Sequence, residues 1–208
     1  MNIQVLPIGK SAVRRLADLI VEKKQTDPFA PVTVVVPSQY AGVVLRRALA
    51  GDQGLLNVRF MILPRLAEYL GSPTLAKSGI SPLIPLIELA SIRHIAIESG
   101  ADGPLSAVAQ HEGLPRLLRR TFRELSRLDA NDLSALAKTD NLRAQLVDWY
   151  RLFKEDNKKY YVHEDLVQAA EDAVALGTVT DTLRDIGFVV FYLLNDLTQA
   201  ELRLAKRL

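Results

Sequence analysis

The run Val32-Thr33-Val34-Val35-Val36 constrains this chain more than any other stretch. Its residues are β-branched throughout and show no polar–apolar alternation. That pattern suits a strand covered on both faces, as in a parallel sheet. Pro37 ends the run, because proline has no N–H to give to a ladder. Ser38 follows where a helix N-cap belongs, its hydroxyl placed to accept from an N–H of the first turn. Val43, Val44, Leu45, Ala48 and Leu49 then predict an apolar helix face, with Arg46 and Arg47 off it.

The flanking residues repeat the pattern. Residues 2–6 (NIQVL) read as a first strand, and Gly9-Lys10-Ser11 opens a helix that runs to about Lys24. Residues 58–63 (VRFMIL) read as a third strand, and Pro64 suits the first turn of a helix over 65–70. Alternating strands and helices predict a parallel α/β sheet flanked by helices. Beyond Gly71 the character changes. Residues 81–176 show helical periodicity and no convincing strand, with helices expected over 82–99, 114–128, 142–159 and 164–176. The sheet pattern returns at 187–194 (GFVVFYLL), and Thr198 with Glu201 three residues on predicts a capping box for a helix over 199–208. The expected division is an α/β core at 1–70 and 178–208 with a large all-helical insertion at 71–177. The helical pattern is still running at Leu208, so the expectation is a piece of a longer protein.

Composition narrows the function classes. The net charge of +2 on 208 residues announces no global affinity for nucleic acid or membranes, so a basic site must be local. With no cysteine, disulfides and cysteine-ligated metal centres are excluded, which agrees with a cytoplasmic location. The N-terminus lacks signal-peptide features, and no stretch reaches the roughly 18 apolar residues of a membrane span.

Three groups of residues carry candidate chemistry. Gly9-Lys10-Ser11 is the tail of a P-loop signature, whose backbone N–H groups would wrap phosphates. Here Gln4 occupies the position of the first glycine, and Pro7-Ile8 is too short a loop to encircle a triphosphate, so the motif is degenerate. A neighbouring strand should also end in a magnesium-holding carboxylate, but 187–194 ends Phe191-Tyr192-Leu193-Leu194 and no acid follows until Asp196. Second, residues 114–128 (LPRLLRRTFRELSRL) are two-faced: Leu117, Leu118, Phe122, Leu125 and Leu128 on one side, Arg116, Arg119, Arg120, Arg123 and Arg127 on the other. Five arginines against Glu124 give +4, and either a solvated face or a phosphate backbone accounts for such a stripe. Third, Trp149, Tyr150, Phe153, Tyr160 and Tyr161 suit helix packing better than base stacking. The pairs Glu164-Asp165 and Glu171-Asp172 read as a helix start and an outer face. His94, His111 and His163 show no metal-ligand spacing, so no metal or cofactor is assigned.

In order, these units resemble the first motor domain of a superfamily 1 helicase, specifically the AddB-type subunit of bacterial AddAB helicase–nucleases and its inactivated relatives. Residues 34–39 (VVVPSQ) with 45–49 (LRRAL) are similar to the family's strand-Pro-x-Gln segment and its helix. Residues 58–67 (VRFMILPRLA) resemble the next strand and its Arg-Leu-Ala helix. His163-Glu164-Asp165-Leu166-Val167 resembles the Asp-Asp-Leu-Leu segment, and 190–208 is similar to the closing strand, Asp-Leu-Thr and Glu-Leu run. There are departures. Active relatives carry a full glycine-rich loop at 7–11, Asp-Glu where this chain has Tyr192-Leu193, and Thr or Ser where it has Ile62 or Leu63.

The resemblance implies a RecA-like, P-loop NTPase-like fold with a 1B-like insertion and no ATPase activity of its own. It implies a domain that binds or channels single-stranded DNA or a duplex end beside an AddA-like helicase subunit, in a complex that repairs double-strand breaks. Arg116, Arg119, Arg120, Arg123 and Arg127 are the expected phosphate contacts, and Ser38 and Gln39 are backbone contacts by resemblance. The alternatives are a P-loop nucleotide-dependent enzyme, an ATPase or kinase using Lys10 and Ser11, and a structural subunit-docking module.

Overall fold

The computed structural model describes residues 3–51, 54–100, 102–195 and 197–208. The chain opens with α1 (Lys10–Lys24), β1 (Val32–Val36), α2 (Gln39–Ala50), β2 (Val58–Ile62) and α3 (Leu63–Lys77). It continues with β3 (Ser81–Pro82), α4 (Pro85–Glu98), α5 (Leu114–Leu125), α6 (Ala130–Ala137), α7 (Asn141–Asp156) and β4 (Tyr160–Tyr161). It closes with α8 (His163–Ala175), α9 (Thr180–Ile186), β5 (Phe188–Phe191) and α10 (Gln199–Arg207). These elements form two compact units, one of Met1–Thr74 with Leu166–Leu208, the other Leu75–Asp165.

The first unit holds a parallel sheet in the order β2-β1-β5. Val34 of the central strand lies between Phe60 and Val190. All five side chains of β1 are buried, which is why its sequence does not alternate. Val32, Val34 and Val36 pack with Leu16 and Ile20 of α1 and Leu45 of α2. Thr33 and Val35 project to the opposite face, by the two-residue period of a strand, and are equally buried. The Thr33 hydroxyl donates to the Ile186 carbonyl at 2.7 Å, so the one polar side chain of the strand is satisfied. At the entrance to β5, Gly187 has φ +68°, and a Cβ there would lie 2.0 Å from the Pro31 carbonyl oxygen. That same oxygen accepts from the Phe188 N–H at 3.0 Å, fixing the strand's first rung.

Several expectations need correction. Asn2 lies outside the described residues, and residues 3–6 form no strand: Ile3 is 71% and Val5 94% exposed. An extended segment without a neighbour has nothing to satisfy its ladder, and here Gln4 instead accepts from Arg15 Nε. Val43 and Val44 are exposed, because α2 turns Gly42 and Leu45 inward. The helix expected over 65–70 continues past Gly71 and Pro73 to Lys77. Gly71 is a packing notch: a Cβ there would sit 2.5 Å from the Leu166 carbonyl oxygen and 2.9 Å from the Ala170 nitrogen of α8. The stretch expected to lack strands contains a short parallel ladder, Ser81 with Tyr160 and Pro82 with Tyr161. Two short helices, α6 and α9, add to those the periodicity predicts. The capping box is present as expected: the Glu201 N–H donates to Thr198 Oγ1 at 3.2 Å, and the Thr198 N–H to Glu201 Oε2 at 2.8 Å.

The second unit packs around aromatic rings. Phe122 of α5 meets Tyr150 of α7 edge-on at 5.6 Å and Phe153 at 5.2 Å. Trp149 and the α4 residues Ile92, Ile95 and Ala96 complete this core. Trp149, Tyr150 and Phe153 are therefore packing residues, as their spacing predicts. Among the described residues, no helix is long and apolar enough to cross a membrane.

Candidate nucleic-acid interface

α5 is built from one buried and one charged face. Pro115 lies in its first turn, where a missing N–H costs no helical bond. Leu114, Pro115, Leu118, Phe122 and Leu125 are buried. The helix stops at Leu125, so Arg127 and Leu128 lie beyond it, and Leu117 is 69% exposed rather than on the core face. The opposite surface thus mixes arginine with an exposed leucine.

The five arginines divide into two kinds. Arg119 Nε donates to Glu88 Oε2 of α4 at 2.7 Å, and Arg123 lies 3.7 Å from the same oxygen. Arg127 donates to Glu124 at 3.2 Å. Arg116 and Arg120 have no acidic partner among the described residues and are exposed. The stripe is therefore less positive than sequence counting gave, because Glu88 lies 31 residues before Arg119. A signal for Glu88 was present: it falls on the same helical stripe as Ile92, Ile95 and Ala96, all buried, and an acid there calls for a partner. Anchoring by Glu88 holds Arg119 as a structural residue. Arg116, Arg120 and the 59% exposed side chain of Arg123 remain outward.

The other candidate residues lie in the first unit. Ser38 caps α2, accepting from the Ala41 N–H at 3.1 Å, and Gln39 begins the helix; both are exposed. Gly9 precedes α1 with φ 122°. Lys10 is exposed, and the Ser11 hydroxyl donates to the Pro7 carbonyl at 2.9 Å. With no strand before it among the described residues and its hydroxyl turned back on its own loop, this segment lacks the strand–loop–helix context that gives a P-loop its phosphate cradle. Asp196 lies outside the described residues. Among the described residues no cluster of three potential ligands is placed to hold a metal ion.

The two acidic pairs differ in their surroundings. Glu164 and Asp165 lie in the first turn of α8, as expected, and favour its dipole. Glu171 is a correction: it is not on an outer face but only 5% exposed. Arg203 Nε and Arg207 Nε of α10 each donate to it at 3.0 Å. Burial pushes this carboxyl up, and the hydrogen bonds and charges of the two arginines outweigh that, holding it below the usual glutamate range. The two arginines dock α10 on α8 through Glu171, while Asp172 is exposed, as expected, and accepts from Gln168 Nε2 at 3.0 Å.

No protein-family model matches the chain, and no curated protein matches its sequence.

Proposed function

We propose that this chain is a non-hydrolysing, helicase-like DNA-binding domain of the AddB type, with a RecA-like core and a helical insertion, working beside an AddA-like subunit in a helicase–nuclease that repairs double-strand breaks. The observation that carries the reading is the outward face of α5, where Arg116 and Arg120 are exposed and, among the described residues, have no acidic partner. A guanidinium held clear of carboxylates can turn its planar fork of donors to a phosphate oxygen pair. The parallel order β2-β1-β5, with the chain leaving after α3 and returning at α8, supports the core assignment. The turned-in Ser11 hydroxyl supports a passive role, and the protein belongs in the cytoplasm with the DNA it binds.

The test is the salt dependence of binding to single-stranded and blunt duplex DNA. Reversing Arg116, Arg120 and Arg123 to glutamate removes up to three phosphate contacts, each contributing a log–log slope of about −0.7 on single strands and about −0.9 on duplex. The expected flattening is therefore about 2 to 3 slope units, with weaker binding throughout. Arg143→Glu/Arg151→Glu/Arg184→Glu, whose native side chains are paired to Asp140, Asp148 and Asp181, controls for net charge. Unchanged affinity and slope in the triple variant assign the stripe to solvation and remove the basis of the reading.

A further inference from the structure

The second unit contains a cavity of about 290 Å³ that the α5 stripe does not use. It lies beside the C-terminal end of α7 and the short β3–β4 ladder. Leu75, Ile80, Leu83 and Phe153 give it apolar walls, and Tyr160 and Tyr161 supply partly exposed aromatic ones. Its charged residues are Lys154, Lys158 and Asp165. Asp165 is already engaged: one oxygen accepts from Lys154 Nζ at 2.9 Å, the other from the Val162 N–H at 3.0 Å. Lys158 pairs with Glu155, and both side chains are about two-thirds exposed, so its ammonium is free to turn to another anion. The lining therefore carries a net single positive charge at an otherwise apolar, tyrosine-bearing site.

That combination selects a flat, aromatic ligand bearing an anion. Tyrosine rings offer stacking faces that accept any base. The lysines offer point charges without the fixed geometry that would demand a particular oxyanion. The volume is just under the roughly 300–1,000 Å³ usual for ligand sites, which favours one ring system over a dinucleotide. We propose that this cavity receives one unstacked nucleobase, with its phosphate at Lys158, and so is a base-holding subsite of the DNA-binding function argued above, on which it rests. Phe153 joins the two features: it lines the cavity and packs on Phe122 of the arginine-bearing helix.

The experiment uses the whole chain with a short oligothymidylate carrying one 2-aminopurine, whose fluorescence falls on stacking, and with adenosine monophosphate as the free-nucleotide source of the same chemistry. Wild type should quench the probe. Tyr160→Leu/Tyr161→Leu, which keeps apolar bulk, should abolish the quench and weaken binding about tenfold or more without changing the salt slope. Lys158→Gln, at an exposed position, should weaken binding while leaving the fold unaltered by circular dichroism. The Arg116/Arg120/Arg123 variant should lose affinity and slope yet keep the quench in the residual complex. Full quench and affinity in both the tyrosine and lysine variants overturns the subsite while leaving the stripe standing. Quenching by the oligomer alone supports a subsite for a strand. Adenosine monophosphate binding that the tyrosine variant loses, with no oligomer binding, overturns the strand-bound subsite in favour of a free-nucleotide site, and binding of neither probe overturns both.

Discussion

Removing the two arginines that hold Glu171 should damage the first unit far more than neutralising Glu171 itself. Glu171 is 5% exposed, whereas the side chains of Arg203 and Arg207 are about half exposed. In Arg203→Ala/Arg207→Ala the carboxylate stays behind without its two cationic partners, with only the 3.4 Å hydrogen bond from Gln168 Nε2 left to it, a loss of about 3–5 kcal/mol. In Glu171→Gln one arginine returns to water and the amide oxygen still accepts from the other, so the cost is about that of one ordinary hydrogen bond, about 0.5–1.5 kcal/mol. For a chain of this length each kcal/mol lowers Tm by about 2–4 °C. Thermal unfolding at pH 7 should therefore drop by about 6–20 °C in the double variant and about 1–6 °C in the glutamine one. The pH dependence has opposite signs. In the native chain the Glu171 carboxyl is held below its ordinary 4.5, so its stabilisation is present above that value and is lost as pH falls through the lower folded value. In the double variant burial is opposed only by the long hydrogen bond from Gln168 and raises the carboxyl, so stability relative to the native chain should recover as pH falls toward 4.5. A glutamine variant as unstable as the double variant, or a gap that does not narrow in acid, would refute the assignment of the carboxylate as the buried member.

Two further outcomes follow from the same geometry. Gly71→Ala should lower the urea midpoint of unfolding: the helix-propensity gain of about 1 kcal/mol is outweighed by overpacking of about 1–3 kcal/mol, since the new Cβ meets the Leu166 backbone oxygen at 2.5 Å and cannot rotate away. Asp185 accepts hydrogen bonds from Arg59 and Tyr69, which hold its carboxyl down at about 2, so its contribution to stability should persist below the usual 3.8 and vanish only as pH falls through about 2. Carboxyl titration by NMR checks this, and Asp185→Asn should bring the Tyr69 phenol back down, because its raised value comes first from the hydrogen bond to Asp185.

What the sequence determined by itself is local. The unbroken β-branched run at Val32–Val36 required cover on two faces, and both faces are covered. Ser38, Thr198 and Glu201 marked helix starts because capping is decided within four residues. The amphipathic face of α5 announced which side would be buried, at Leu118, Phe122 and Leu125. Where a residue's fate depends on something distant, only the tertiary structure decided it. Residues 3–6 have strand composition, but a strand needs a neighbour, and none among the described residues pairs with them. Gly71 looked like a helix end and is a notch, because α8 approaches at that point. The arginine stripe looked uniform until α4 placed Glu88 against Arg119, and Glu171 looked like a surface acid until α10 laid Arg203 and Arg207 over it. Periodicity within one helix reports which face is apolar. It carries no record of the opposite charge that a second helix, tens of residues away, will bring to meet it.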